Sequence, residues 1–329
     1  MPAPLKVDVR DPSAVGAARR GSVEFALSAG LSEARTSDLA IVVTELARNL
    51  VKHTPQGGEV LISAAVDGAL EVLVLDSGQG LRDPAAVMRD GYSTSGTPGT
   101  GLGAVSRLAS AFDLYSLPGQ GCVVLARFQG PATGTATFEV GGVQVPHPRE
   151  HLSGDGWAAQ VSGPVARLLM VDGLGHGLHA HEAAQGAIQA FRQAPHLPPL
   201  ALMQEVHGAL RGTRGAVGAV AELDHTSLNL RFSGIGNIMG AVVESNGRRG
   251  LVSLNGTLGQ EVRKFTEQTT RWGPQSTLIL HTDGLSSSWD LSRYPGLLRR
   301  PAALIAGVLY RDFQRGRDDA TILVVKAPQ

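Results

Sequence analysis

Two polar side chains in residues 41–53, IVVTELARNLVKH, have the types and the spacing for acid–base and metal chemistry. Glu45 and Asn49 are four residues apart, and apolar residues recur at helical spacing around them. This period predicts an amphipathic helix that carries both side chains on one face. A carboxylate and a carboxamide one turn apart offer a general base and a metal ligand, although such pairs are also common on solvated helix surfaces.

Two glycine clusters follow this segment. Residues 76–80, DSGQG, end a strand-like run, and residues 96–103, GTPGTGLG, lead into an apolar helical pattern. Glycines before a helix start let backbone N–H groups approach a phosphate, and the helix dipole favours its negative charge. Asp76 stands at a strand end and suits an acceptor for an exocyclic amine such as that of adenine. The clusters therefore predict a nucleotide site.

The stretch between the clusters, residues 83–99, is rich in Gly, Ser, Thr and Pro and carries few large apolar residues. This composition is typical of a lid that closes over a nucleotide, and also of an ordinary surface loop. Its place between the two glycine clusters favours the lid.

The order ExxxN, DxGxG and GTGLG resembles the nucleotide-binding core of the GHKL ATPases, and in detail the RsbT-type serine kinases of bacterial anti-sigma and stressosome switches. The resemblance extends over residues 7–128 and is particularly close at 91–121, GYSTSGTPGTGLGAVSRLASAFDLYSLPGQG. It implies a Bergerat-type ATP-binding α/β sandwich in which Asn49 binds Mg²⁺, Glu45 takes the proton of a substrate serine and Asp76 reads adenine. The other implied nucleotide-binding residues are Gly78, Gly80, Gly101, Leu102 and Gly103.

Acidic residues in the second half of the chain stand at strand ends and glycine turns. Asp155, Asp172 and Asp283 lie in SGDGW, VDGLGHG and HTDGL, and the pair Asp318–Asp319 lies in GRDDATILVV. Aspartate beside glycine is common turn chemistry. Four such sites, two of them after apolar runs, fit a cluster of oxygen ligands better. Clusters of this kind suit Mg²⁺ or Mn²⁺.

The four ordered motifs resemble those of the metal-dependent serine/threonine phosphatases of the PPM class, and most closely the bacterial SpoIIE-like and RsbX-like branch. The resemblance spans residues 138–325. It implies an αββα sandwich, two β-sheets flanked by helices, with a centre that holds two metal ions.

The same resemblance implies a role for each acidic residue. Asp172 would bridge the two metals, and the Gly173 carbonyl would bind one of them. Asp155 and Asp283 would hold the other metal, and Asp318 would complete the set, with the second member of the pair not a ligand. A water between the metals would then attack the phosphorus of a phosphoserine or phosphothreonine.

Three histidines near the second motif raise the alternative of a zinc site. His176, His179 and His181 have no cysteine partner, and an acidic cluster is at hand, so the oxygen-ligand site is favoured. We expect His179 and His181 on a helix surface, and His176 is a candidate for protonating a leaving group.

Composition and length set the wider expectations. The chain has 329 residues, which predicts two domains, and 43% are hydrophobic, enough for two cores. Lys+Arg and Asp+Glu both number 29, so the net charge points to neither nucleic acid nor an anionic membrane. The N-terminus MPAPLKVDVR lacks a signal-peptide h-region and no apolar run is long enough to span a membrane, so we expect a cytoplasmic protein. The single cysteine, Cys122, opens an apolar run and is expected in a buried strand.

The small, polar stretch 129–135 is the best linker candidate. The predicted boundaries are an ATPase and serine kinase domain at 1–130, a linker at 131–137 and a phosphatase domain at 138–329. Both domains belong to the α/β class. Thr36 or Ser37 is expected to cap the helix that carries Glu45.

The combined expectation is a bifunctional switch enzyme that uses ATP, Mg²⁺ and Mn²⁺. Its first half would phosphorylate a serine of a STAS-domain protein, an anti-sigma antagonist or a stressosome scaffold, and its second half would remove such a phosphate. One alternative is an ATP-gated module that binds an anti-sigma partner or a sigma factor. Another is a phosphatase that bound ATP regulates without any kinase activity.

Overall fold

The computed structural model describes residues 2–84, 101–129, 138–245 and 247–327. The chain forms two compact units: Met1–Gly134 with Asp290–Arg311, and Thr135–Trp289 with Asp312–Gln329. Both units are α/β, as predicted. Across the described ranges, each helix is too short or too polar to cross a bilayer. The predicted linker 131–137 and most of the predicted lid lie outside the described residues.

The first unit is built on a five-stranded antiparallel sheet in the order β1-β2-β3-β5-β4. Helices α1 and α2 pack against each other, and their apolar residues share one core with the sheet. The strands are β1 Leu5–Val9, β2 Gly58–Ala64, β3 Leu70–Asp76, β4 Ala111–Ser116 and β5 Cys122–Phe128. The helices are α1 Pro12–Ser28, α2 Glu33–His53 and α3 Gly101–Leu108.

Helix α2 contains the predicted amphipathic segment but begins earlier, at Glu33, and the predicted caps are wrong. The helix is capped by Ser32, whose side chain accepts a hydrogen bond from the Arg35 amide at 3.4 Å. Thr36 is buried inside the helix, and the Ser37 hydroxyl donates back to a carbonyl of the first turn. A serine followed by an acidic first turn is the stronger start signal, because both groups satisfy the exposed N–H end of the helix.

The stretch Asp290–Arg311 belongs to the first unit, although the expected boundaries place it with the phosphatase domain. It contains two 3₁₀ turns, Leu291–Arg293 and Leu297–Arg299, and most of helix α6, Ala302–Phe313. Helix α6 is apolar on all sides and buried from its start to Tyr310, as expected for a helix that no solvent reaches.

The second unit has two five-stranded antiparallel sheets, in the orders β13-β10-β9-β8-β7 and β12-β11-β14-β15-β6. Trp157 of the first sheet packs on Gly142 of the second, and helices α4 and α5 share a core with the first sheet. The strands are β6 Glu139–Val145, β7 Asp155–Ser162, β8 Val165–Gly173, β9 Ala216–Asp224, β10 Asn229–Ile235, β11 Met239–Glu244, β12 Gly247–Leu251, β13 Gln268–Arg271, β14 Thr277–His281 and β15 Ala320–Lys326. The helices are α4 Leu178–Gln193 and α5 Pro199–Ala209.

Candidate functional site

The first candidate site begins on helix α2, where Glu45 and Asn49 are both half-buried. The Glu45 carboxylate lies 3.0 Å from the guanidinium of Arg48 and keeps 34% of its side chain exposed. It borders a cavity of about 850 Å³ between α1 and α2. The lining is partly apolar and partly cationic, and includes Arg19, Ile41, Thr44, Arg48 and Lys52. A cavity of this size and mixed lining can receive a segment of another molecule.

Asp76 ends strand β3, and its carboxylate is held by the backbone of the turn that follows. The Gly78 amide donates to Asp76 Oδ1 at 2.8 Å. Burial raises the pKa of Asp76, while the amides of Gly78 and Cys122 and the charge of Arg311 act in the opposite direction. A hydrogen-bonded carboxylate at the end of a strand suits recognition of an amine donor.

Glycine is required at three places around this turn. A Cβ at Gly78 would lie 2.9 Å from Asp76 Oδ1, in the space beside the carboxylate. Gly80 and Gly121 have φ values of 65° and 75°, and a side chain at either would run into a backbone carbonyl. Gly78 therefore leaves space beside the Asp76 carboxylate, and Gly80 and Gly121 let the backbone segments of the turn approach each other closely.

Thr54 connects the turn to helix α2 and was missed by sequence reasoning. It is the C-cap residue of α2, is buried, and its methyl group would lie 3.2 Å from a Cβ at Gly78. The end of the helix that carries Glu45 and Asn49 thus contacts the DSGQG turn. Its only sequence signal is its place between the last helical residue and a proline.

The second glycine cluster is described only from Gly101 onward. Gly101 opens helix α3, Leu102 is half-buried against the core and Gly103 is buried. Helix α3 packs on α2, so its N-terminus, with the amide dipoles that favour anions, belongs to the same unit as Asp76. Residues 96–100 of the cluster lie outside the described residues.

The second candidate site is acidic and is built from strand ends. Asp155 opens β7 and Asp172 lies near the end of β8, directly opposite it in the antiparallel register. Asp155 is buried, and its carboxylate accepts a 2.7 Å hydrogen bond from the Thr282 hydroxyl. Asp283 accepts from the side-chain amide of Asn237 at 2.9 Å.

These carboxylates lie close enough together to perturb one another. Burial and the negative charges of Asp283, Asp318 and Asp319 raise the pKa of Asp172 to about 8. Burial and the charge of Asp172 raise the pKa of Asp155 well above its ordinary value. The fold therefore brings the four predicted acidic motifs close enough for their charges to interact. Carboxylates cluster in this way where they bind a cation or share a proton.

The two members of the Asp318–Asp319 pair have different surroundings. Asp319 is buried, and its Oδ1 accepts a 2.8 Å hydrogen bond from the His147 amide. Asp318 is exposed. Asp318 also accepts a backbone hydrogen bond, from the Asp319 amide at 3.0 Å, so the exposure of its carboxylate is the difference that favours it as a metal ligand. Its assignment as the ligand stays a prediction.

The donor set fits a hard divalent cation. The fit is one of donor type and not of observed geometry, because among the described residues no group of three or more His, Cys, Asp or Glu side chains is placed to hold a metal ion. The available donors are carboxylate oxygens and the Gly173 carbonyl, which suit Mg²⁺ or Mn²⁺ ions that keep several waters. A side chain at Gly173 would run into the backbone of Ala180, so the carbonyl at this position needs glycine.

The histidines near VDGLGHG have separate partners rather than a common metal. His176 Nδ1 lies 2.7 Å from the carboxylate of Glu150, and its ring stacks on His147 with centroids 4.6 Å apart. His179 pairs with its helix neighbour Glu182 and is exposed, as predicted. His181 is half-buried rather than on the surface, with Nδ1 2.9 Å from the carbonyl of Ser153.

Four residues of the acidic site escaped sequence reasoning. Thr282 had a signal, because it stands directly before Asp283 in HTDGL. Asn237, Glu150 and His147 had none, because each is far in sequence from the residue that it contacts, which is Asp283, His176 and Asp319, respectively.

The two folds that carry these candidate sites correspond to two known protein families. Residues 9–127 match the family described as histidine kinase-like ATPase domain. Residues 163–328, half of the chain, match the family described as Stage II sporulation protein E (SpoIIE). The chain belongs to the SpoIIE family.

Individual relatives agree with both matches. The serine/threonine-protein kinase RsbT of Bacillus subtilis (strain 168) is 34% identical over 112 residues, which cover 33% of this chain and 84% of RsbT. A solved structure described as "The bacterial stressosome: a modular system that has been adapted to control secondary messenger signaling" is 25% identical with a TM-score of 0.54, and the match covers 57% of this chain and 99% of that one.

A structure of RsbX in complex with magnesium, 17% identical, shares the fold, with a TM-score of 0.52 and coverage of 59% of this chain and 97% of RsbX. The protein is an enzyme that joins a histidine kinase-like ATPase domain, similar in sequence to RsbT, to a SpoIIE-family domain. The ATPase family associates its first half with a nucleotide.

Proposed function

We propose that this protein is a bifunctional switch enzyme of the cytoplasm. Its first unit transfers phosphate from Mg-ATP to a protein serine, and its second unit removes phosphate from a protein serine or threonine with Mg²⁺ or Mn²⁺. The observation that carries the proposal is the acidic cluster, in which burial and neighbouring carboxylates raise the pKa of Asp172 to about 8. Bound cations would stabilise such a cluster, because they offset the repulsion between the carboxylates. The kinase half of the proposal is supported by the homology of the chain to RsbT.

In the kinase half, the protein's own side chains and backbone bind and orient the nucleotide and the substrate serine. Asp76 accepts a hydrogen bond from the adenine amine, and the backbone at Gly78, Gly80, Gly101 and Gly103 approaches the nucleotide, with Leu102 packed behind. Asn49 would hold Mg²⁺, which when bound neutralises phosphate charge. Glu45 borders the cavity between α1 and α2 and takes the serine proton there. Most of the rate enhancement comes from positioning and charge neutralisation.

In the phosphatase half, hydrogen bonds orient the metal-binding carboxylates. Thr282 directs one oxygen of Asp155, and Asn237 directs one oxygen of Asp283. Asp172, Gly173, Asp155, Asp283 and Asp318 would hold two cations, which supply an acidic water as nucleophile. His176, whose Nδ1 lies 2.7 Å from the Glu150 carboxylate, is the candidate proton donor to the leaving serine oxygen.

The proposed partner is a STAS-domain protein, an anti-sigma antagonist or a stressosome scaffold, with a sigma factor as a further candidate. Support comes from the homology to RsbT and from the likeness to a structure described in terms of the stressosome.

The decisive experiment is a transfer assay with radiolabelled ATP and purified STAS-domain proteins, followed by release of phosphate from the labelled product. We expect transfer with wild-type protein, loss of transfer with Glu45→Gln, and release that stops in chelator. An absence of transfer to every STAS protein tested, with intact release from a STAS protein phosphorylated beforehand by another kinase, would refute the kinase half alone.

A second candidate is a phosphatase that ATP regulates without phosphate transfer. The ion pair between Glu45 and Arg48 at 3.0 Å favours it, because the guanidinium occupies a carboxylate oxygen that would have to reach the substrate serine. In the same assay, this candidate predicts no transfer but a rate of phosphate release that changes when a non-hydrolysable ATP analogue is added.

A further inference from the structure

We propose that Arg311 is a positioning residue of the nucleotide site, supplied by a part of the sequence that lies within the phosphatase motifs. Arg311 follows HTDGL and precedes GRDDA, and it falls inside the SpoIIE match at 163–328 and outside the ATPase match at 9–127. In the structure it belongs to the first unit. The inference rests on the proposed function, because it takes Asp76 as the acceptor of the adenine amine.

The contact is made to the backbone of the residue that reads the base. Arg311 Nη1 lies 3.4 Å from the main-chain oxygen of Asp76 and donates to it at the long end of the hydrogen-bonding range. Gly121 packs against the same carbonyl so closely that a side chain there would run into it. The peptide that follows strand β3 is thus held from two sides, and the orientation of the Asp76 carboxylate follows from it.

Charge acts in the same direction as geometry. Burial opposes ionisation of Asp76, and the guanidinium of Arg311 is the side-chain cation that favours its ionised form. An ionised carboxylate accepts a stronger hydrogen bond from an amine than a neutral one does. Arginine suits this role because its guanidinium stays charged at every physiological pH.

Helix α6 holds Arg311 in place through packing along its length. Gly307 faces the sheet, where a Cβ would lie 3.1 Å from Val123 and 3.4 Å from Leu73. The Lys6 ammonium donates to the hydroxyl of Tyr310, the residue before Arg311, at 3.3 Å. The arginine therefore directly follows the buried, anchored part of a helix and does not lie in a surface loop.

Contacts near the other end of the stretch supply a matched control. Arg300 pairs with Asp113 of β4 at 2.9 Å, and the Tyr115 hydroxyl donates to the carbonyl of Pro295 at 3.2 Å. Arg300 thus ties the same stretch to the same sheet through a different strand from the one that ends in Asp76. A variant of Arg300 therefore tests whether Asp290–Arg311 stays attached to the sheet. A variant of Arg311 tests in addition whether the turn after Asp76 is held in position.

The experiment uses full-length protein and two nucleotides that differ where Asp76 reads them. Inosine triphosphate carries a carbonyl oxygen in place of the adenine amine. Calorimetry of both nucleotides is run on wild type, Arg311→Ala, Arg311→Lys and Arg300→Ala, with the thermal midpoint of each protein as a check of folding. We expect Arg311→Ala to lose about fivefold to tenfold in ATP affinity, the effect of one charge-assisted contact, with little change for inosine triphosphate.

The ratio of the two affinities separates positioning from a general loss of structure. Arg300→Ala should lower the thermal midpoint yet keep the wild-type preference for ATP, and Arg311→Lys should recover part of that preference. A wild-type ATP preference in Arg311→Ala would overturn the inference while the proposed kinase site stands. If wild type itself does not prefer ATP, the assignment of Asp76 fails first. Should Arg311→Ala not fold, Arg311→Gln, which keeps size but not charge, decides by the same ratio.

Discussion

The turn after Asp76 and the cluster around Asp172 start from the same local pattern and end in opposite electrostatics. Each has an aspartate at or near the end of a buried strand, with glycine close behind it. Asp76 is surrounded by donors, the Gly78 amide and the Arg311 guanidinium. Asp172 is surrounded by other carboxylates.

This difference determines what each site can bind. A carboxylate already satisfied by donors can accept one more hydrogen bond from a base, whereas crowded carboxylates are stabilised by a cation. An aspartate–glycine turn thus places a carboxylate at the end of a strand, and the groups around the carboxylate determine what it can bind.

The largest effect should come from removing the central carboxylate of the cluster. Asp172→Asn keeps the size of the side chain but loses the charge, and we expect phosphate release to fall by about a thousandfold or more because a shared metal ligand is lost. The measurement is release from a phosphorylated STAS protein at saturating Mn²⁺. Asp224→Asn, on an exposed turn of the same unit, is the control and should be unaffected. Near-normal phosphate release by Asp172→Asn would contradict the assignment of Asp172 as a shared metal ligand, and with it the contrast to Asp76.

The next effect concerns Glu45, on the nucleotide side of the comparison. Glu45→Gln should lower phosphate transfer by about a hundredfold or more, the range for a general base, while ATP affinity stays close to wild type. Asn49→Ala is the matched variant one turn away and should weaken Mg-ATP binding itself. Calorimetry and the transfer assay together separate the two roles, and unchanged Mg-ATP affinity in Asn49→Ala would contradict its assignment as a metal ligand.

A smaller effect should follow from loosening a carboxylate without removing it. Asn237→Ala deletes the amide that donates to Asp283, and we expect metal affinity or phosphate release to fall by about tenfold. Titration with Mn²⁺ should show a higher half-saturating concentration with an almost normal maximal rate. Equal loss at every metal concentration would instead point to a role in catalysis.

The last prediction is a graded pH dependence of metal binding, which needs no substitution. The folded-state pKa of Asp172, about 8, is above its ordinary value of 3.8, so the metal-free folded protein holds a proton that the unfolded chain releases. In metal-free protein this contribution to stability is present at low pH and is lost as the pH rises towards about 8. Metal must displace the proton, so Mn²⁺ affinity should rise by up to about tenfold per pH unit below that value.

Calorimetry in two buffers of different ionisation enthalpy measures this proton release directly. The control is Asp172→Asn, in which the released proton should be missing. Mn²⁺ affinity that is flat between about pH 6 and about pH 8 would show that the crowded carboxylates of the comparison do not retain the proton.

Local patterns predicted the elements of both sites. The helical period around Glu45 and Asn49, and the apolar runs that end before Asp76 and in Asp172, led to helix α2 and strands β3 and β8 close to their observed bounds. These features depend on side chains a few residues apart. The start of α2 was misjudged because Ser32 and Glu33 compete with Thr36 and Ser37 as start signals, and capping depends on the local backbone.

By itself, the sequence determined two α/β folds, the order of their motifs and the acidic residues at strand ends, because strand and helix periods and glycine turns act over short distances. The tertiary structure alone decided that Asn237 orients Asp283, that Thr54 meets Gly78 and that Asp290–Arg311 joins the first unit. Each of these contacts joins residues far apart in the chain or depends on the packing of a whole helix. Helix α6 is apolar on every side, so its pattern marks it as buried but does not say which sheet it covers.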